Sequence, residues 1–266
     1  MNWTLFKATT RANWVIALYV TLFIMIYVVS SISMYDPSSA DTMKAMLDLL
    51  PEGLVKALGF ENMGTDLTGY ISNYLYGFIL LTFPLIYCVI AANRMIAKHV
   101  DSGSMSYLLT TPNSRVKVAT TQAVYLAVSL AAIMVADIAL AILMCESMFP
   151  GMLEIGPFLA LNWVTYLAML VVSGIGFFSS CLFNETRLSL SVGAGLPILF
   201  LIFNMISGLS DKIAWLRYLT VFTFVDVDRT LSDTSYIVPV TFILLAISSA
   251  LYVSAIRVFN RKSLAI

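Results

Sequence analysis

Histidine is almost missing from this chain: His99 is the sole one among 266 residues. With a single imidazole, and with no GxSxG or HExxH run, neither a His-based hydrolytic triad nor a zinc-peptidase site can be assembled from the usual parts. There is no GxxxxGK[ST] phosphate loop and no soluble stretch long enough to hold a nucleotide domain, so an ATPase site of its own is excluded. Cysteine is scarce as well. Cys88, Cys145 and Cys181 fall near the ends of apolar runs with no CxxC spacing, which suggests neither a disulfide framework nor a metal site and leaves them as small packing residues. Charge is thin, at 11% against 60% hydrophobic, and the mean hydropathy of +0.90 lies outside the ordinary soluble range. No internal repeat is visible, so an inverted-repeat secondary transporter receives no support. Any activity must come from a partner or from conformational work.

What the chain does have is long apolar runs. A bilayer core needs about 20 apolar residues per helical span, and six runs qualify: 14–33, 71–92, 118–144, 157–183, 188–207 and 237–258. The gaps between them are sorted by charge. Counted alternately from the N-terminus, one set holds ten Lys and Arg against only Asp101 and Glu185. The other set holds five Lys and Arg against twelve acids, and Asp137, alone inside a run, brings the total to zero. Cations that flank spans stay in the cytoplasm, so the pattern predicts an all-α integral membrane protein, multi-pass, with both termini inside. The net charge of zero is a cancellation of two opposite faces. A small-residue triplet, Ser38-Ser39-Ala40, follows the first run, but that run is longer than a signal-peptide core, and an uncleaved anchor is the better reading.

Between the spans, several segments invite assignment. Trp3, Phe6 and Trp14 lie among Lys7 and Arg11, which suits either a short amphipathic helix on the inner surface or an ordinary aromatic and basic anchor. The outer segment 34–70 reads as two short amphipathic helices joined at Pro51, the second stopped by Gly59. The inner loop 93–117 holds a helix candidate in which Met105, Leu108 and Leu109 recur at helical spacing, ended by Pro112. Its apolar face needs something to bury against. Only residues 184–187 join the fourth and fifth runs, so these form a tight antiparallel pair. The fifth carries two small-xxx-small pairs, Ser189/Gly193 and Ser191/Gly195, which allow close approach to a neighbouring or partner helix. Pro84 and Pro197 are expected to kink the second and fifth spans. The gap 208–236 reads either as a re-entrant hairpin in the outer leaflet or as an amphipathic loop.

Asp137 is the one ionisable residue deep in a run. Holding a carboxylate near mid-bilayer costs about 2.5–3.5 kcal/mol, so it is expected to face protein or water. Asn162 and Asn204 come to similar depth on the fourth and fifth spans. The three are expected to form a polar layer in the outer third of the bundle. Interhelical glue, worth under ~2 kcal/mol, is a slightly better reading than a gate or substrate path.

The inner loop is the recognisable stretch. Within DSGSMSYLLTTPNSR, Gly103, Ser104, Leu108, Leu109, Pro112, Ser114 and Arg115 stand in the order and spacing of the ABC type-2 transporter permeases, which the chain resembles over nearly its whole length. The basic tail RVFNRKSLAI and the LLPEGLVKALG stretch are similar to the family's too. In two places the sequence departs from the pattern. His99 stands about where a glutamate is usual, leaving Asp101 as the acid, and Leu219-Thr220-Val221-Phe222 lacks the proline often found after the last outer leucine pair.

The resemblance implies a bacterial cytoplasmic-membrane exporter subunit that binds no cofactor itself. Two separate cytoplasmic ABC ATPase subunits would carry the ATP and Mg, and a second permease copy or paralogue would pair with it in the lipid; no nucleic-acid partner is implied. Residues Asp101, Gly103, Ser104, Met105, Leu108, Leu109, Pro112 and Arg115 would form the coupling segment that docks on the ATPase. The cargo expected is amphipathic: a peptide, an antibiotic or a lipid-like molecule. The alternative is a non-transporting scaffold or sensor that uses the same loop to hold a cytoplasmic partner.

Overall fold

A backbone in lipid must satisfy its own polar groups, and a helix does so within one segment. The computed structural model describes residues 1–37, 49–50, 66–110, 114–209 and 211–262, and among these the regular elements are α-helices and short 3-10 turns. In chain order the α-helices are α1 (Trp3–Ser33), α2 (Leu67–Tyr76), α3 (Ile79–Met95), α4 (Ala97–Asp101), α5 (Met105–Thr110), α6 (Arg115–Met148), α7 (Ile155–Leu182), α8 (Thr186–Ser207), α9 (Val227–Ser232) and α10 (Thr234–Arg261). Six stretches are long and apolar enough to cross a membrane: α1, α2 to α4 taken together, α6, α7, α8 and α10. The outer helices expected around Pro51 and Gly59, the Ser38–Ala40 triplet and Pro112 lie outside the described residues.

The bundle is organised around α7. It packs against α3, α6, α8 and α10, and 72% of its most apolar window is buried, against 17% for α10 and 22% for α8. Small residues let the neighbours come close. A Cβ on Gly176 would lie 2.9 Å from the Cβ of Ala92 on α3, and one on Gly193 of α8 would lie 3.2 Å from the Cα of Gly176. A Cβ on Gly174 would meet Leu251 of α10 at 3.2 Å. Ser173 and Tyr252 share a hydroxyl hydrogen bond of 2.6 Å, and the Trp163 indole donates to Thr241 at 3.1 Å, so polar contacts also join α7 to α10.

Hydrogen bonds define the two ends of the bundle. At one end the Asn2 amide donates to Thr121 (2.9 Å), Arg115 to the Lys262 carbonyl (2.6 Å) and Lys262 to the Cys181 carbonyl (3.1 Å). The start of α1 and the end of α10 therefore both lie beside the start of α6, at the cation-rich end. At the other end the Glu154 amide donates to Thr68 (2.8 Å), and the Tyr35 ring packs tilted against Tyr70 and edge-on against Phe149.

Three local features add to the sequence reading. First, α1 runs unbroken for 31 residues, about 46 Å at 1.5 Å per residue; no separate surface helix precedes it, and Trp3 and Phe6 stack on its first turn as an aromatic anchor. Second, the second span is interrupted at Gly77–Phe78, where Phe78 adopts φ −145° and ψ −50° and α3 begins without a side-chain cap. Pro84 sits inside α3, Pro197 inside α8, and Pro239, not singled out beforehand, inside α10. Third, the 208–236 gap forms two 3-10 segments, Asp211–Leu219 and Val221–Phe224, followed by α9. Val221 and Phe222 are buried against the bundle, while Trp215, Tyr218 and Leu219 point outward.

The Gly176 contact gives a direct test of this packing. Gly176→Val adds three carbons where one already collides, and overpacking of that kind costs about 1–3 kcal/mol. The detergent-solubilised variant is expected to melt several degrees below the wild type, whereas Gly195→Ala, with open space around its Cβ, is expected to melt with it.

Candidate functional site

The residues between the second and third spans build a corner rather than one helix. Gly103 has φ +71°, a left-handed conformation that a side chain disfavours, and it separates α4 from α5. Small hydroxyls satisfy the turn. The Gly103 amide donates to the Val100 carbonyl (3.0 Å), and Ser106 returns its amide and hydroxyl to the Gly103 carbonyl (3.2 and 2.6 Å). Ser104 bonds the His99 ring at 3.0 Å and Ser102 at 2.9 Å. His99, standing where the resembled pattern has an acid, thus serves as a brace inside the corner.

Three ties fix the corner to the bundle. At the α3–α4 bend, the amides of Ile96 and Ala97 both donate to the Ser180 hydroxyl of α7 (3.3 and 2.8 Å). The Asp101 carboxylate accepts from the Thr186 amide at 3.3 Å. Glu185, which precedes α8, makes no side-chain cap of its own, so Asp101 supplies an acid to that helix N-terminus from another segment, where negative charge is favoured. Arg115 then binds the Lys262 carbonyl, and the Lys262 ammonium reaches the Cys181 carbonyl. Burial lowers the Lys262 ammonium below its usual value.

The apolar face of α5 is partly housed by the chain itself. Met105 is buried in the core and Leu108 packs half-buried against it, while Tyr107 is 79% exposed. Asp101, Ser102 and Gly103 form the exposed tip. Of the residues expected to couple, Asp101 and Arg115 therefore make inward structural bonds, Met105 is interior, and Ser104 braces the turn. The outward surface is the tip together with Tyr107, which the spacing argument passed over because its position falls between the apolar repeats.

The small residues of α8 divide by face. Ser189 is buried, its carbonyl accepting from Ser179 (2.8 Å), and Gly193 abuts Gly176, so this pair packs within the chain. Ser191 is exposed and Gly195 meets nothing within 4 Å, so the second pair faces outward. Gly174 and Gly176 of α7 were missed, although two glycines one residue apart in an apolar run were a readable sign of close approach.

Within the bundle, Asp137 and Asn162 are both buried. Asn162 donates to the Phe158 carbonyl (2.9 Å), and the buried Tyr76 hydroxyl, the last side chain before the Gly77–Phe78 break, lies beside Asn162 and Asp137. Neither Asp137 oxygen has a hydrogen-bond partner among the described residues. Asn204 is half-buried on α8, which packs principally on α7, the Asp211–Leu219 segment and α3 rather than on α6. Among the described residues, interactions join Asp137, Asn162 and Tyr76, and those of Asn204 are with Ser207 of its own helix.

Comparison with known proteins adds one match. The family model described as "ABC-2 family transporter protein" aligns with residues 4–264, nearly the whole chain. No curated protein matches it.

A buried carboxyl group without partners is a cost rather than a brace. Asp137→Asn keeps the shape and removes an ionisable group worth about 2.5–3.5 kcal/mol of insertion penalty. The variant is expected to fold with a melting midpoint equal to or above that of the wild type. If it also loses transport, the carboxyl acts in the transport cycle; if transport is unchanged, its charge has no part in that cycle.

Proposed function

Because this chain belongs to the ABC-2 transporter family, we propose that it forms the membrane half of an ATP-driven exporter in a bacterial cytoplasmic membrane. As a permease subunit of an ABC transporter it works with a separate ATPase. The finer reading is that two ATPase subunits serve a pair of permeases, this chain with a copy or paralogue of itself, and that the cargo is amphipathic: a peptide, an antibiotic or a lipid-like molecule. The outward Ser191/Gly195 pair on α8 and the largely exposed α8 and α10 faces suit either lipid or that second permease. The sorted charges support an orientation in which the end holding both termini faces the cytoplasm.

One observation carries the coupling role: an exposed tip and Tyr107 stand on a corner hydrogen-bonded to α7 and to the start of α8. A partner that grips the tip pulls on the α7–α8 hairpin through Ser180 and Asp101. Closure of the ATPase pair would then displace that hairpin as a unit and alternate the access of the bundle. Family membership favours this reading over a non-transporting scaffold or sensor.

Tyr107 is a cleaner probe than Leu108, whose side chain also packs on the chain itself. Tyr107→Asp is expected to leave the melting midpoint unchanged and to reduce capture of the ATPase about tenfold, as an interface residue worth ~1.4 kcal/mol would. ATP-dependent cargo movement in reconstituted vesicles should fall with it. Full capture and full transport by the variant would remove the corner from the docking surface.

A further inference from the structure

A cavity of about 320 Å³ lies between the first half of α1, the α3–α4 bend, α5 and the start of α6, within the size range of small-molecule sites. Its lining is chemically divided. Arg94 and Lys98 supply two cations; both also border an adjoining hollow that Asp101 lines, but among the described residues neither forms an ion pair with a carboxylate. Among the described residues no acid lines the cavity itself. Asn13, only 5% exposed, donates its amide nitrogen to the Thr9 carbonyl at 3.0 Å and leaves its Oδ1 without a donor. Leu5, Ala8 and Leu108 give the remaining wall an apolar character.

We infer that this cavity binds an anionic phospholipid headgroup that carries free hydroxyls, of the phosphatidylglycerol type, with its phosphodiester between Arg94 and Lys98 and a glycerol hydroxyl donating to Asn13 Oδ1. Each part of the ligand answers a feature of the lining. Two unpaired cations call for an anion and form charge-assisted bonds to phosphate oxygens. A buried acceptor without a donor calls for a hydroxyl, since such a group left dry costs about 1–3 kcal/mol. The apolar wall on α1, a helix whose outer face is exposed along the bundle, admits the start of the acyl chains. The cavity also lies at the cation-rich end, where an anionic leaflet concentrates such lipids. Its occupant would touch α1, the α3–α4 bend and Leu108 of α5 at once, so binding would steady the corner that bears Tyr107.

The test uses the full chain in dodecylmaltoside, titrated with dioctanoyl forms of phosphatidylglycerol, phosphatidylmethanol and phosphatidylcholine, and with water-soluble glycerophosphoglycerol, read by native mass spectrometry and by thermal shift. Phosphatidylglycerol is expected to bind saturably and most tightly. The pair Arg94→Gln and Lys98→Gln, at half-exposed and exposed positions respectively, should weaken it about tenfold or more. Arg187→Gln, at the same end but outside the cavity, should leave it unchanged. Asn13→Leu should abolish the preference for phosphatidylglycerol over phosphatidylmethanol, about threefold to tenfold for one hydrogen bond. Equal binding of phosphatidylcholine, or an Arg187→Gln loss as large as that of the pair, would overturn the site. Glycerophosphoglycerol binding as tightly as the lipid would overturn the membrane source and leave a soluble phosphodiester as ligand.

Discussion

The structure rests on how closely three backbones can approach. At the crossing of α3, α7 and α8, Ala92, Gly176 and Gly193 leave so little room that one added carbon on Gly176 already collides. In lipid there is no hydrophobic drive to bring apolar helices together, so association depends on dispersion and backbone proximity. Glycine and alanine provide that proximity at the cost of helix propensity, which matters little where helix is the only way to satisfy the backbone. With α7 held on several sides and the second span also more than half buried, α1, α6, α8 and α10 are free to present most of their surface outward. A bundle with one buried hub and a lightly covered rim is suited to lipid and to a second subunit alike.

The end bearing both termini is tied together chiefly by backbone groups. Ser180 receives two amides, Asp101 one, and Arg115 and Lys262 each donate to a carbonyl. Such bonds depend on position rather than on matching charges, and they join segments far apart in the chain. Among the described residues the corner at Gly103 is thereby attached to the hub without an ion pair, and its outer surface stays exposed.

Much of this was legible in the sequence, for physical reasons that differ from element to element. The six spans are sums over about twenty residues each, and the sorted charges are sums over the gaps, so single errors could not upset either. Asp137 and Asn162 were legible because polar side chains at one depth have few places to go; Tyr76 was not, since a tyrosine in a span is ordinary. Asn204 shares their depth, but depth says nothing of which side of α7 a helix occupies. In α8 the two small pairs are offset by two residues, about 200° around a helix, so when Ser189 and Gly193 face α7, Ser191 and Gly195 must face away. The periodicity of Met105 and Leu108 marks the segment that forms α5, but it carries no sign of the left-handed turn that Gly103 takes just before it. Local pattern reports the face of a segment, while a single dihedral sets its direction.

The interruption at Gly77–Phe78 makes the second span two rods with a joint between them. The inner rod continues through α3 into the corner, and the outer rod, α2, begins beside Thr68 and Tyr70 at the acidic end. A seamless helix would carry any tilt at one membrane face straight to the other. A hinged one lets the two faces move out of step, so that neither need be open while the other is closing.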